Sequence, residues 1–357
     1  MNHFAFIIHP MDAADVARKY PFASRLPAGL VEALLRFMPT VVASHITGVR
    51  SEHAEVEGWF MGLTLTTRQI MNLPERYVLR RIIDCGKKAQ ALGAQVLGLG
   101  AFTSVVGDAG VTVAKALDIP VTTGNSYTVA MALEGTREAA RLMGHDMKAA
   151  AVAVVGATGS IGGACARILA RETSDLTLVG RNIDRLDDQA RQILDDTGLA
   201  CHITTEVRAA VTRADVVVTV SSAAGTIIGP EDLRPGAVVC DVARPRDVAR
   251  QVAEKRPDVL VIDGAVVAVP GEPQFNINFG LPPGLALGCM AETMTLALEG
   301  RFESFTLGRD LTVAQVDEIS AMAARHGFRL GGLRSFDRAV SPEQIAAVQR
   351  AARAAGA

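Results

Sequence analysis

The sequence predicts an α/β protein in three parts: an N-terminal α/β domain over 1–148, a doubly wound parallel-sheet domain over 149–270, and a helical C-terminal region over 271–357. Three observations carry this reading. A chain of 357 residues exceeds the ~100 to 200 residues of an ordinary domain. The run Ala149–Val155 is apolar throughout, as a central parallel strand covered on both faces must be. After it, β-rich runs at Leu176–Val179, Val216–Val220, Val238–Asp241 and Val259–Ile262 alternate with helical spacers such as Asp184–Thr197.

In chain order, Glu75–Leu92 has helical spacing that leaves Arg76, Arg80, Arg81, Lys87 and Lys88 exposed. Val96–Phe102 is an apolar, glycine-bounded run that reads as a buried strand. The loop Thr122–Thr128 precedes a helix over Val129–Leu142, and the polar stretch His145–Lys148 marks the first domain boundary. Helices over Cys289–Gly300, Val313–His326 and Pro342–Ala355 complete the C-terminal region.

Composition narrows the function classes. With 49% hydrophobic and 21% charged residues the chain buries a core and is not disordered. A net charge of −2 gives no chain-wide cationic field for nucleic acid or an acidic bilayer. Met1–Pro10 lacks a basic leader, and no run approaches the ~18 apolar residues of a membrane span, so a cytoplasmic protein is expected. The five cysteines, Cys85, Cys165, Cys201, Cys240 and Cys289, are odd in number and contain no Cys-x-x-Cys pair. They describe neither a disulfide framework nor a zinc site, which leaves buried thiols or one reactive thiol. No metal is expected.

The run Val154 to Gly163 is a glycine-rich turn between a predicted strand and the helix Gly163–Ala170, the pattern of a Rossmann-like dinucleotide-binding domain. Gly156 permits the tight turn, Gly159 lets backbone approach a pyrophosphate, and Gly162 lets helix and strand pack closely; Thr158, Ser160 and Ile161 lie between them at the positive helix end. About twenty residues on, where an NAD site places a carboxylate for the ribose, stands Arg181, followed by Asn182 and Arg185. A guanidinium there suits a 2′-phosphate, so NADPH is the expected cofactor. Ser221 and Ser222 follow the strand that ends nearest a nicotinamide.

Familiar hydride-transfer solutions lack their parts. Tyr20, Tyr77 and Tyr127 are followed four residues on by Ser24, Arg81 and Met131, not by the lysine a short-chain dehydrogenase requires. There is no His-Glu-x-x-His and no P-loop. Cys289, after a Pro-Pro-Gly turn and near the start of a predicted helix, is the remaining candidate, because the positive helix end favours a thiolate. Glu292, one turn on, either tunes that thiol or complements the helix N-terminus. The other four cysteines read as small core hydrophobes. His9 and His326 are assigned no role.

Several blocks together resemble the long-chain acyl-[acyl-carrier-protein] reductases of cyanobacteria: Leu99–Ser104, Thr122–Thr128, Val152–Gly162 with Arg181–Asp187, Gly288–Met294, Leu298–Gly300 and Arg325–Phe328. The resemblance implies transfer of an acyl group from its carrier thioester onto Cys289 and reduction by NADPH to a fatty aldehyde. It also implies acyl carrier protein or coenzyme A as the donor and an aldehyde-consuming partner enzyme downstream. Cyanobacterial members carry His where this chain has Tyr127, so a proton-donor role there passes to the phenol or is absent. In the same loop Asn125 and Ser126 either donate to a tetrahedral intermediate or cap the following helix; the cap is preferred for Ser126 or Thr128 and the donor role for Asn125. The apolar lead-in Gly280–Leu287 either lines an acyl pocket or packs as a buried loop. Tyr20–Ile46 reads as an insertion without an assigned structure. Two other readings compete: a non-covalent NADP-dependent dehydrogenase of a small carbonyl compound, of the shikimate-dehydrogenase-like kind, and a dinucleotide-binding protein without turnover. The basic face of Glu75–Leu92 is the expected docking surface for an acidic carrier.

Overall fold

A computed structural model describes residues 1–223 and 225–356. The chain forms two discontinuous units, one of Met1–Gly124, Val269–Asp310 and Glu318–Arg329, the other of Asn125–Ala268, Leu311–Asp317 and Leu330–Ala357.

The first unit runs β1 (Asn2–Ile8), α1 (Ala13–Lys19), α2 (Ala28–Phe37), β2 (Val41–Arg50), β3 (Glu55–Gly62), α3 (Thr67–Asn72), α4 (Glu75–Ala91), β4 (Val96–Leu99), α5 (Val111–Lys115) and β5 (Val121–Thr122). The second continues with α6 (Asn125–Met143), β6 (Ala151–Val155), α7 (Ser160–Leu169), β7 (Asp175–Val179), α8 (Ile183–Thr197), β8 (His202–Thr204), α9 (Val207–Val211), β9 (Val216–Thr219), β10 (Val238–Asp241), α10 (Arg250–Lys255), β11 (Leu260–Asp263) and β12 (Val266–Ala268). Then come β13 (Gly271–Gln274), α11 (Gly288–Glu299), α12 (Val313–Arg325) and α13 (Pro342–Gly356).

In the first unit the sheet order is β13-β2-β3-β1-β4-β5. β1 pairs in parallel with both β3 and β4, β4 with β5, and β2 and β13 are antiparallel. β1 is central and apolar on both faces, with Phe4, Ala5, Phe6 and Ile7 all buried. Ala5 and Ile7 join Val78, Ile82 and Cys85 of α4 in one core cluster with Leu97 and Leu99 of β4. Because side chains alternate along a strand, Phe4 and Phe6 serve the opposite face. α11 belongs to this unit and is buried from Met290 through Leu298.

The second unit is a Rossmann-like fold, a six-stranded sheet in the order β11-β10-β9-β6-β7-β8 with every pairing parallel. The order reverses between β6 and β9, and the crevice outside the carboxyl ends of the strands at that point is where such sheets bind ligands. Ala153, Val155, Val179, Val211, Val217, Val239 and Val261 form its continuous core.

The structure redraws the predicted domains. The division at 148 moves to Gly124, because α6 packs with the parallel sheet: its Val129, Ala132 and Leu133 are buried, and Ala132 O lies 3.6 Å from the Cys240 thiol of β10. The C-terminal region is not a separate body. α11 completes the core of the first unit, α13 belongs to the second, and short strands interrupt the helices. The strand expected over Val96–Phe102 ends at Leu99, where Ala101 takes a positive φ of 47° and opens a 3-10 turn over Ala101–Ser104. Tyr20–Ile46 folds as a 3-10 turn (Pro21–Arg25), α2 and the first part of β2. Among the described residues no helix is long and apolar enough to cross a membrane.

Candidate functional site

The turn after β6 has the geometry the glycine spacing predicts. Gly156 sits at φ +86°, and a Cβ there would meet Val220 O at 2.5 Å, so both conformation and space demand glycine. Its N–H and that of Ala157 donate to Val179 O at 2.9 and 3.0 Å, closing the turn on β7. A Cβ on Gly162 would lie 2.2 Å from Gly156 O, so helix α7 packs directly on the turn's own backbone. Gly159 differs: its nearest neighbour would be Gly156 O at 3.3 Å, and its remaining side is open. Ser160 begins α7, and its Oγ is buried with no hydrogen-bond partner. An orphaned hydroxyl beside free helix N–H groups, with an open glycine next to it, fits the pyrophosphate of a dinucleotide.

Arg181 and Arg185 are exposed just beyond β7. Asn182 is engaged locally, its side-chain oxygen accepting from Arg185 N at 2.9 Å and capping α8. Ser221 is likewise committed, since its Oγ donates to Asp247 Oδ1 at 2.5 Å and its N–H to Oδ2 at 2.8 Å, while Thr219 donates to the same carboxylate at 2.6 Å. Ser222 remains exposed. Asp241, at the end of β10, accepts from Ala243 N and Val248 N at 3.0 Å each, and burial pushes its carboxyl up to about 6. Sequence reasoning includes Asp241 only as the end of a strand and assigns no role to it or to Asp247.

Cys289 lies in the first turn of α11 in the other unit. Gly124 holds it closely: Gly124 has φ +74°, and a Cβ there would fall 2.2 Å from Cys289 Cα. The backbone N–H groups of Met290, Cys289 and Ala101 favour the ionised sulfur. Burial works against them, with the charge of Glu292 adding to it, and pushes the thiol up to about 12. The expected helix-stabilised thiolate is therefore corrected: at neutral pH Cys289 is a thiol, because desolvation outweighs the helix end. Cys289 as a residue is nonetheless half-buried, whereas Cys85, Cys165 and Cys240 are buried. Cys201, expected to be a core residue, is half-buried, and burial raises its thiol to about 11.

Glu292 is fully buried. Its Oε1 accepts from Thr306 Oγ1 at 2.9 Å and from Thr122 Oγ1, and Thr306 N donates to Thr122 Oγ1 at 3.2 Å. This cluster ties α11 to β5 three residues from the thiol. A Glu292→Gln variant keeps the acceptor and removes the charge, so the midpoint of Cys289 ionisation is expected to fall. The check is iodoacetamide alkylation of Cys289 against pH: several-fold faster reaction near pH 9 is expected, and an unchanged profile would show that the charge does not act on the sulfur.

Asn125, Ser126 and Tyr127 form the first turn of α6 and are buried. The preferred cap assignment for Ser126 or Thr128 is corrected, since the helix starts at Asn125 and both lie inside it. Tyr127 is 1% exposed, and burial raises its phenol pKa, so it stays protonated at physiological pH. The lead-in to Cys289 is not wholly buried: Pro282 and Pro283 are exposed and Ala286 is buried. His326 is a structural tie within the first unit, its Nδ1 2.9 Å from Ser51 Oγ and its Nε2 2.8 Å from Glu299 Oε2. On α4, Arg76, Arg80 and Lys87 are exposed, whereas the Arg81 guanidinium donates to Met38 O at 2.5 Å and Lys88 Nζ to Thr40 O at 3.0 Å, so the free basic face is smaller than expected.

Residues 137–264, within the second unit, match the Shikimate / quinate 5-dehydrogenase family. The chain is 31% identical over 332 residues to the protein described as "Aminotransferase PigE" of Serratia sp. (strain ATCC 39006), a match covering 89% of this chain and 37% of that one. This chain thus spans little more than a third of that relative. It is 28% identical over 339 residues to the "Long-chain acyl-[acyl-carrier-protein] reductase" of Synechococcus elongatus (strain ATCC 33912 / PCC 7942 / FACHB-805), covering 89% of this chain and 94% of that one. Among solved structures, the nucleotide-binding domain of glutamyl-tRNA reductase from Thermoplasma volcanium is similar at 17% identity and a TM-score of 0.25, over 39% of this chain and 86% of that one.

Proposed function

We propose that the protein reduces an acyl thioester to an aldehyde with NADPH, by way of an acyl group carried on Cys289. The observation that carries this reading is the setting of that sulfur: a half-buried cysteine in the first turn of a helix, packed on a glycine backbone, with three backbone N–H groups favouring its ionised form. The similarity to an acyl-carrier-protein reductase over nearly the full length of both chains supports the substrate class.

Cys289 Sγ attacks the thioester carbon, its new S–C bond replacing that to the carrier sulfur, which leaves as a thiol. A bound NADPH would supply the hydride that brings the acyl carbon to the aldehyde level; Cys289 Sγ holds the acyl group until then and is released as its C–S bond breaks. In the second unit the Gly156–Gly162 turn and Ser160 Oγ would hold the pyrophosphate, and Arg181, with Arg185 one turn on, would receive the 2′-phosphate. Burial keeps the Tyr127 phenol protonated, which makes it the proton-donor candidate of the first turn of α6. Asn125 and Ser126 share that turn. Arg76, Arg80 and Lys87 of α4 suit the acidic surface of a carrier protein; coenzyme A is the alternative donor, and an aldehyde-consuming enzyme the expected next step.

The test is intact-mass analysis of the protein mixed with a long-chain acyl thioester. One acyl mass on Cys289 without NADPH, discharged as aldehyde when NADPH is added, is the expected result. No adduct, together with ketone-dependent NADPH oxidation, would favour a non-covalent dehydrogenase, the reading encouraged by the family match over 137–264. In a separate measurement, Arg181→Ala is expected to raise KM for NADPH by about 10-fold or more and leave that for NADH nearly unchanged, because one charge-assisted contact to a phosphate contributes about 1.5 to 3 kcal/mol.

A further inference from the structure

We infer that Ser51, His326 and Glu299 form a second catalytic site, a serine-hydrolase relay that cleaves small carboxylic esters independently of Cys289. All three residues belong to the first unit. Ser51 stands in the turn between β2 and β3, Glu299 ends α11, and His326 follows α12. Ser51 Oγ lies 2.9 Å from His326 Nδ1, and His326 Nε2 lies 2.8 Å from Glu299 Oε2. These are the contacts of a nucleophile, its base and the carboxylate that orients the base.

The carboxylate decides where the protons are. It only accepts, so in the neutral imidazole the proton sits on Nε2 and Nδ1 presents a lone pair to the Ser51 hydroxyl. The ring is held in place: His326 is 4% exposed, and the His53 ring meets it edge to face, 5.9 Å between centroids. Glu299 is fixed through its other oxygen by Arg325. Ser51 Oγ also accepts from His53 N and Ala54 N at 3.1 Å each, which closes the turn and favours negative charge on that oxygen as its proton leaves. Ala54 O, at 3.3 Å, is the more distant of the two acceptors open to the hydroxyl. Closing the turn requires only the two N–H donors; the imidazole and carboxylate behind the hydroxyl add a base that the turn does not need.

Space for a substrate adjoins the relay. Ser51 and His326 line a cavity of about 600 Å³ together with Arg50, Glu52, Pro270 and Gly327. Walls with two charged side chains and little apolar surface suit a short, polar acyl group rather than a long chain. The N–H of Glu52, the residue after the nucleophile, makes no hydrogen bond among the described residues and is available to an oxyanion. In the first half of the reaction Nδ1 takes the Ser51 proton as Oγ bonds to the ester carbon, and the alcohol leaves with that proton. Water then attacks the acyl-serine and passes a proton to Nδ1, the C–Oγ bond breaks, and Oγ takes the proton back. One ester and one water give one acid and one alcohol, and nothing is oxidised or reduced. The sequence is silent on this site because His326 lies 275 residues from Ser51 and Glu299 belongs to a different helix from His326.

The test uses the full-length Cys289→Ala protein, so that no adduct on that sulfur is counted. A fluorophosphonate reagent is added and its product located by intact mass and peptide mapping; hydrolysis of p-nitrophenyl acetate is followed in parallel. One phosphonyl mass on Ser51 is expected, absent after Ser51→Ala, with labelling rate and kcat for the ester each lower by about 100-fold after His326→Asn. Glu299 acts through the imidazole, so Glu299→Gln should lower kcat and leave KM nearly unchanged. An unlabelled Ser51 overturns the inference without any further variant, and so does labelling of His326→Asn at the undiminished rate. Because Cys289 is absent from every protein in this comparison, failure of the ester site leaves the acyl-thioester reading untouched, and the reverse holds as well.

Discussion

Cys289→Ala is expected to eliminate both the acyl adduct and aldehyde formation, with a loss of at least about 10³-fold in turnover, as removal of a covalent nucleophile entails. The other thiols are poor substitutes. Cys85, Cys165 and Cys240 are sealed in the two cores, and burial raises all three. Cys201 is partly accessible but has no backbone donors acting on its sulfur; burial is the sole influence, raising it to about 11. Cys289→Ala should leave NADPH binding intact, because the glycine-rich turn is in the other unit. Cys289→Ser is a stricter version: the hydroxyl fills the same space, yet an un-ionised hydroxyl oxygen is a far weaker nucleophile than sulfur. Wild-type aldehyde production by either variant would remove the covalent step.

The second large effect concerns the cofactor turn, where two glycines separate stability from binding. In Gly162→Ala the new methyl group falls 2.2 Å from Gly156 O and 2.8 Å from Gly156 C, both backbone atoms that cannot rotate aside. The expected cost is about 1 to 3 kcal/mol of stability, read as a drop of about 5 °C in melting temperature, together with loss of NADPH affinity as the turn moves. Gly159→Ala meets only Gly156 O at 3.3 Å and takes the β-region φ of −85°, so it should fold nearly normally. Its methyl group nevertheless stands where a pyrophosphate must approach, and affinity for NADPH should fall by about 10-fold or more while the melting temperature stays within about 2 °C. If both variants bind NADPH as the wild type does, this turn is not the cofactor site.

The parallel sheet was legible because its strands are buried on both faces, so β6, β9, β10 and β11 are each apolar up to at most their last residue, at close to the observed boundaries. The glycine turn was legible for a local reason as well, since its constraint acts between Gly156 and Gly162. What the sequence hid depends on contacts between distant segments. Nothing near Asn125 announces that the helix starts there, because Gly124 and not a capping side chain precedes it. Nor does the spacing around Cys289 show that Glu292 is locked to Thr122 and Thr306, 170 and 14 residues away. A helix end does favour a thiolate as local electrostatics, but at Cys289 it loses to burial, which only the folded chain supplies.

The polypeptide passes between its two units at Gly124, Ala268, Asp310, Asp317 and Arg329. A ribosome releasing this chain from its amino end therefore delivers the central strand of the first sheet early, but its covering helix α11 nearly two hundred residues after β4. Until that helix emerges, Phe4 and Phe6 have a face with no permanent cover, and the nascent protein has to wait on its own carboxyl-terminal third. Protein engineers inherit the same constraint: no single cut gives two self-sufficient pieces, so exchanging nucleotide specificity by swapping the second unit would require several coordinated splices, whereas point changes around Arg181 leave the thread intact.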